Sequence, residues 1–294
     1  MKPSAWWLLM ALTVPGLACA AATPVEDSMV VTGTVTVNPA GDVQGYTLYE
    51  QDKLPQMVRQ IVQDTVPHFQ FLPIMVDGKA ITAETGMSLR VVVKTTAGAK
   101  QGTIRVAAAE FGCDAGRARN LLPNQCPKGT SVSYVRRQPP NYPWAALQAS
   151  VGGEVFLVLQ IDRNGHVSQA AARQVNLYSL TDWPEHYRKV LAEASLRAAS
   201  KWQFTVPTMG PNSAKDYWVV QVPVNYWIGA PGSAPTKHYG QWNAYIPGPV
   251  QEIPWAGADG ASGGNSDAIS GGAPFMRDAR FVLKTTLSGG AGQS

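Results

Sequence analysis

From Gly153 to Ile161, Val155, Leu157, Leu159 and Ile161 alternate with Glu154, Phe156, Val158 and Gln160. This period of two predicts a strand with one buried face. Asn164-Gly165 follows, a dipeptide that suits the left-handed pair of a type I′ hairpin turn, so the chain is expected to fold back through Val167 into a second strand. Asp182 with Glu185 three residues on reads as a capping box, with Pro184 in the first helical turn, where a missing N–H costs little. Tyr187, Val190, Leu191, Ala194, Ala198 and Trp202 then recur at helical spacing, giving an amphipathic helix able to lie on the sheet. Gly210-Pro211 breaks the pattern, and Trp218, Val220, Val222, Val224, Tyr226 and Ile228 alternate as a last strand. Residues 131–229 are therefore expected to form a small α+β module.

A fainter version of the same order precedes it. Val31, Gly33, Val35 and Val37 alternate, and residues 39–43 can be laid over residues 163–167. Leu54, Met57, Val58, Ile61, Val62 and Val66 recur at helical spacing, and His68-Phe69-Gln70-Phe71 leaves that helix as Lys201-Trp202-Gln203-Phe204 leaves the other. Residues 89–94 and 103–109 supply further strand patterns. An internal duplication accounts for this; the alternative is that any α+β lobe gives similar patterns. Residues 113–130, mixing Gly, Pro, Asn and Arg, read as a linker. Residues 230–294 read as an irregular tail rich in Pro, Gly and Ser, too poor in apolar side chains over 256–273 to offset ordering entropy. Within it, residues 280–286 echo residues 90–96, either by coincidence or as a strand returning to an open sheet edge.

The second module carries five ordered features: Tyr142-Pro143-x-x-Ala146, Gly153-x-Val155, Asp162-x-x-Gly165-x-Val167, Trp202-x-Phe204 and Val222-Pro223-Val224. None is specific alone, but in this order and spacing they resemble the C-terminal domain of the TonB family, the periplasmic arm that couples the inner-membrane proton gradient to outer-membrane transporters. One departure is Arg173-Gln174-Val175-Asn176-Leu177, where the family often has a Ser-Gly step. The resemblance implies an α+β fold of two tandem lobes like that domain, each a small antiparallel sheet with one helix packed on it, the first (residues 23–112) degenerate. It also implies strand pairing with the short TonB-box segment of a TonB-dependent outer-membrane transporter, or with another envelope protein. Carried over by position, the binding candidates are Gln138 and Pro139 before Tyr142, and Tyr217, Val219, Gln221 and Asn225 in the last strand. Tyr142 is expected to pack, and Pro223 to remove a ladder donor from the edge. A motor like ExbB-ExbD is the second implied partner if the N-terminus is retained.

The address of the chain bears on that choice. Residues 1–22 carry one lysine, Lys2, an apolar run interrupted by Pro15-Gly16, and Ala18-Cys19-Ala20-Ala21-Ala22, the layout of a cleavable secretory signal peptide and hence of a periplasmic protein. The alternative is an inner-membrane anchor facing the periplasm, for which the run is short against the ~20 residues of a span. If Cys19 leaves with the signal, Cys113 and Cys126 remain as an even pair in an oxidising compartment; the readings are a structural disulfide or two free thiols. A net charge of +4 with 15% charged residues argues neither for nucleic acid nor for a polybasic membrane arm.

No catalytic set stands out. His68, His166, His186 and His238 form no His-Glu-x-x-His pair, and there is no Gly-x-Ser-x-Gly elbow or phosphate loop. Asp162 and Glu185 have turn and cap roles, so no enzyme, cofactor or metal is expected. Two functions remain: an energy transducer, or a scaffolding adaptor that covers its own binding edge with residues 281–287.

Overall fold

The computed structural model describes residues 25–95, 102–115, 126–228, 239–257, 267–269 and 271–287. In chain order these form β1 (Glu26–Val37), β2 (Val43–Leu48), α1 (Gln56–Thr65), β3 (Met75–Val76), β4 (Lys79–Ala80), β5 (Ala83–Thr95) and β6 (Gly102–Phe111). Next come β7 (Ser133–Arg136), α2 (Trp144–Gln148), β8 (Gly153–Asp162), β9 (Val167–Leu177), α3 (Pro184–Ala199), β10 (Gln203–Thr205), β11 (Tyr217–Tyr226) and β12 (Asn243–Tyr245). The class is α+β. The leader residues 1–22 lie outside the described residues. Among the described residues, no helix is long and apolar enough to cross a membrane.

Both main sheets are antiparallel and share a core order. In the second, β8 is central, with β9 on one side and β11 on the other, and α3 lies in sequence between β9 and β11. In the first, β1 is paired with β2 and β5, and α1 lies between those two. The hairpin turns match bond for bond. Asn38 Oδ1 accepts the N–H groups of Ala40 and Asp42, as Asp162 Oδ1 accepts those of Asn164 and His166. Gly41 and Gly165 both have positive φ, 95° and 80°. Their carbonyls accept the N–H groups of Phe71 (2.8 Å) and Phe204 (2.9 Å), which seats each helix exit on its turn. The expected type I′ turn is not formed. Asn164 is not left-handed; Gly165 alone is, and the register shifts between Gln160 and Ile161, as in a type I turn closed by a bulge.

The helix start also differs from expectation. Trp183, not Asp182, is the N-cap of α3, with no side-chain cap bond. Glu185 turns to Arg188 instead (2.6 Å), whose guanidinium is fixed against the carbonyls of Val175 and Pro247.

Each sheet buries one face against its helix. Val31, Val35, Leu89 and Val91 meet Val58 and Val62 in the first, and Val155, Leu157, Val220 and Val222 meet Leu191 and Ala194 in the second. The expectation that β8 has only one buried face is wrong. Glu154, Phe156 and Val158 on its other face are 3% exposed or less, because the second faces of the two sheets turn toward each other across the chain's C-terminal segments.

The described parts of the tail are packed against both sheets. β12 adds to β1 at Glu26–Tyr245, Tyr239 and Phe281 enter the first core, and Ile246 enters the second. Leu283 bridges Phe71, and Phe281 stacks edge-on against Phe71, so residues 281–283 stand beside the first helix exit. β7 holds the same place beside the second exit, pairing with β10 and setting Tyr134 against Trp202 and Phe204. Sparse large side chains spaced along a Gly-rich tail suffice, because each drops into a core prepared by the sheets.

Candidate functional site

Backbone groups alternate sides along a strand, and this fixes what β11 offers. Trp218, Val220, Val222, Val224 and Tyr226 point side chains into the α3 core. Gln221 turns its N–H and C=O away from β8 and exchanges both with Phe275, each bond 2.8 Å. By alternation Tyr217, Val219, Pro223 and Asn225 face the same outer edge. Pro223 therefore deletes a donor from that edge and not from the β8 ladder.

The six sequence candidates fall in two places. Gln138 and Pro139 line a cleft of about 310 Å³ with Ala194, Arg197 and Lys201 of the α3 region, and the Gln138 carbonyl accepts Trp202 Nε1 at 2.8 Å. Tyr217 is exposed at the start of β11. Val219 is buried against Val158, with Ile253, Trp255 and Ala256 over it. Gln221, a binding candidate from the sequence, is 2% exposed. Asn225 donates to Glu154 Oε1 (3.0 Å) and accepts from the Tyr178 hydroxyl. Tyr142 packs on Tyr226 and donates to the Val151 carbonyl. Burial pushes the hydroxyls of Tyr142 and Tyr226 up to about 12.

Residues 271–278 are the part of the site that sequence reading missed. The expectation that 281–287 would cover the β11 edge is corrected: those residues pair beside Phe71, and Phe275 reaches Gln221. The phenyl ring is buried with Phe156, Ile269 and Ala115. Arg277 clasps Glu110 through three contacts of 2.6 to 3.1 Å, and Asp278 N–H bonds the Phe111 carbonyl at 3.2 Å. The available signal was Pro274-Phe275-Met276-Arg277, an apolar island in a Gly-rich stretch.

Beside this edge lies a buried ionic cluster joining both sheets and the tail. Arg90 donates to the Asp267 carbonyl (2.8 Å) and Ser28 Oγ (2.9 Å), and lies 3.6 Å from Glu154 and 3.4 Å from the Asp267 carboxylate. Tyr245 and Asn176 donate to the other carboxylate oxygen of Asp267 at 2.6 and 2.9 Å. Burial works against the Arg90 charge, but Asp267, then Tyr245 and Glu154, outweigh it, so the guanidinium is held above its ordinary value. The arrangement reads as structural: the Arg90 cation faces both the Glu154 and the Asp267 carboxylates, and all three side chains are buried.

Cys113 and Cys126 are joined in a disulfide. With Asp114 they are close enough to share a metal, but the bonded sulfurs are not the thiolates that zinc needs.

No protein-family model matches the chain, and no solved structure matches it. It is similar to Protein TonB of Xanthomonas campestris pv. campestris, from strain B100 and from strain ATCC 33913, at 34% identity over 95 residues in each case. The match covers 32% of this chain and 37% of each relative, so the chain spans well under half the length of the curated relatives it matches.

Proposed function

We propose that this is a TonB-like periplasmic protein that binds an envelope partner by strand pairing along the outer edge of β11, in TonB-dependent transport across the outer membrane. The observation that carries the reading is Gln221: its backbone faces away from the sheet and already holds an antiparallel strand residue through two 2.8 Å bonds. An edge with this geometry recognises extended peptide through main-chain bonds, with side-chain pockets adding selectivity. The similarity to Protein TonB makes the N-terminal segment of an outer-membrane transporter the first partner to test. Both lobes are read as versions of one TonB-C-like unit, on the strength of their matched turns and helix exits. Binding, not catalysis, is the activity, and no cofactor takes part.

The test is photo-crosslinking in the native envelope from Tyr217 and from Asn225, with the exposed Thr103 near the start of β6 as the control. Adducts with an outer-membrane transporter from the β11 positions alone support the reading; adducts from neither β11 position overturn it. The occupied β11 edge favours a second reading, a scaffolding adaptor without energy transduction. N-terminal sequencing with fractionation separates them: residues 1–22 retained in the membrane fraction, with ExbB-ExbD-like proteins co-purifying, for the transducer, and a soluble chain beginning near Ala21 or Thr23 for the adaptor.

A further inference from the structure

We infer that residues 271–278 are a stand-in for the partner: the β11 edge takes an extended strand by exchanging it for this segment, and the incoming strand carries a bulky apolar residue followed two positions later by a cation. This rests on the β11 reading above and adds the partner's chemistry.

The tail segment holds the edge by a single residue pair. Gln221 and Phe275 form an isolated bridge. On one side Pro223 has no N–H to offer; on the other the chain turns off to Phe111 through Asp278. By contrast, β11 pairs with β8 from Tyr217–Asp162 to Tyr226–Gly153 without a register shift. Beyond the Gln221–Phe275 pair the segment is held by Met276 on the second core, by a bond from the Tyr134 hydroxyl to the Gly272 carbonyl, and by two side chains two positions apart, the Phe275 ring on Phe156 and Arg277 on Glu110. Those two side chains are the features a replacing strand must reproduce.

The third observation lies beneath the segment. Both polar atoms of the Gln221 side chain, Oε1 and Nε2, are buried without a hydrogen-bond partner among the described residues. A buried amide left in that state destabilises the arrangement that covers it. A strand bringing a hydroxyl or amide side chain to this point satisfies it, and so does simple opening of the segment. The self-bound state is thus complementary enough to shield the edge and imperfect enough to be replaced.

The test uses the full chain and a fluorescein-labelled synthetic peptide of residues 271–280, read by fluorescence anisotropy. Phe275→Ala in the protein is expected to tighten peptide binding at least tenfold over the wild type. Replacing Phe and Arg by Ala at the two matching positions of the peptide is expected to weaken it at least tenfold. Equal affinity of both proteins for the peptide, or binding by neither, overturns the inference. Hydrogen exchange on the unmodified protein gives an answer independent of how the variant folds. The amides of Gln221 and Phe275 are expected to exchange at least tenfold faster than those of Val220 and Val222, which bond β8; equal protection overturns it. If the variant gains peptide binding but no transporter crosslinks to β11, the exchange stands and the transporter reading falls. If a transporter crosslinks equally to wild type and variant and the peptide does not compete, the reading stands and the exchange falls.

Discussion

The two sheets share a β-hairpin, helix and third strand in the same spatial order, yet they treat the outer edge of the third strand differently. In the first, β6 covers β5 from Met87–Phe111 to Thr95–Gly102, a full ladder fixed by chain continuity. In the second, the outer edge of β11 is met, among the described residues, by one bridge at Phe275. The same strand order is sealed by a ladder in the first sheet and met by an isolated bridge in the second. Edge accessibility is thus set by the chain segment C-terminal to the strand, and the proposed binding is placed on the β11 edge for that reason. A reciprocal difference holds at the helix exits: the second lobe uses β7 from its own approach segment, and the first borrows residues 281–283 from the far end of the chain.

The most damaging way to break this pairing is to remove its shared charge. Arg90→Ala leaves Glu154 and the Asp267 carboxylate buried without their cation, and is expected to cost about 3–5 kcal/mol. Urea denaturation should show the loss and resolve two transitions where the wild type gives one; an unchanged single transition would mean the cluster does not join the lobes. Phe281→Ala tests the borrowed exit and is expected to cost about 3–5 kcal/mol. Hydrogen exchange should place that loss in α1 and β1 while β8 keeps its protection. Equal loosening of both sheets would reject the idea that residues 281–283 complete the first lobe.

The matched turns make a sharper and smaller test. A methyl on Gly41 would sit 2.2 Å from the Phe71 carbonyl oxygen, and one on Gly165 would sit 2.0 Å from that of Phe204. Both residues are left-handed, so Gly41→Ala and Gly165→Ala are each expected to cost about 1–3 kcal/mol, with melting temperatures falling together. A harmless Gly41→Ala would show that the first turn only looks like the second.

A further test is alkaline. Burial raises Tyr134, Tyr142 and Tyr226, all in the second lobe, from 10.0 to about 12. Their protonated forms are favoured by folding, so the stability they contribute is complete below pH 10 and is lost as pH rises through 12. The melting temperature is expected to hold up to about pH 10 and decline above it, with Tyr226→Phe showing a shallower decline. A decline unchanged in Tyr226→Phe would remove that hydroxyl from the account.

Periodicity in the amino-acid sequence was enough to find β8, α3 and β11, and to align Gly41 with Gly165 and Phe71 with Phe204. Those features are local: a period of two or of 3.6, a glycine where the chain must turn left-handed, an aromatic where a helix ends. The turn type and the α3 cap were not readable. A bulge depends on the partner strand's register, and Glu185 had a competing partner, Arg188, whose anchors at Val175 and Pro247 come from distant segments. The burial of Gln221 was not readable either, since a polar residue in an alternating strand reads as solvated unless something covers it.

By itself the sequence determined the α+β class, the hairpin–helix–strand order and the edge that Pro223 marks, because these depend on the nearest neighbours along the chain. Only the tertiary structure decided that the second faces are buried, that Arg90 meets Glu154 and Asp267, that the tail enters both cores, and that Phe275 occupies the edge. Each of these joins residues far apart in sequence. Isolated side chains such as Phe275 and Phe281 show no period, and only the pockets into which they pack give them a place.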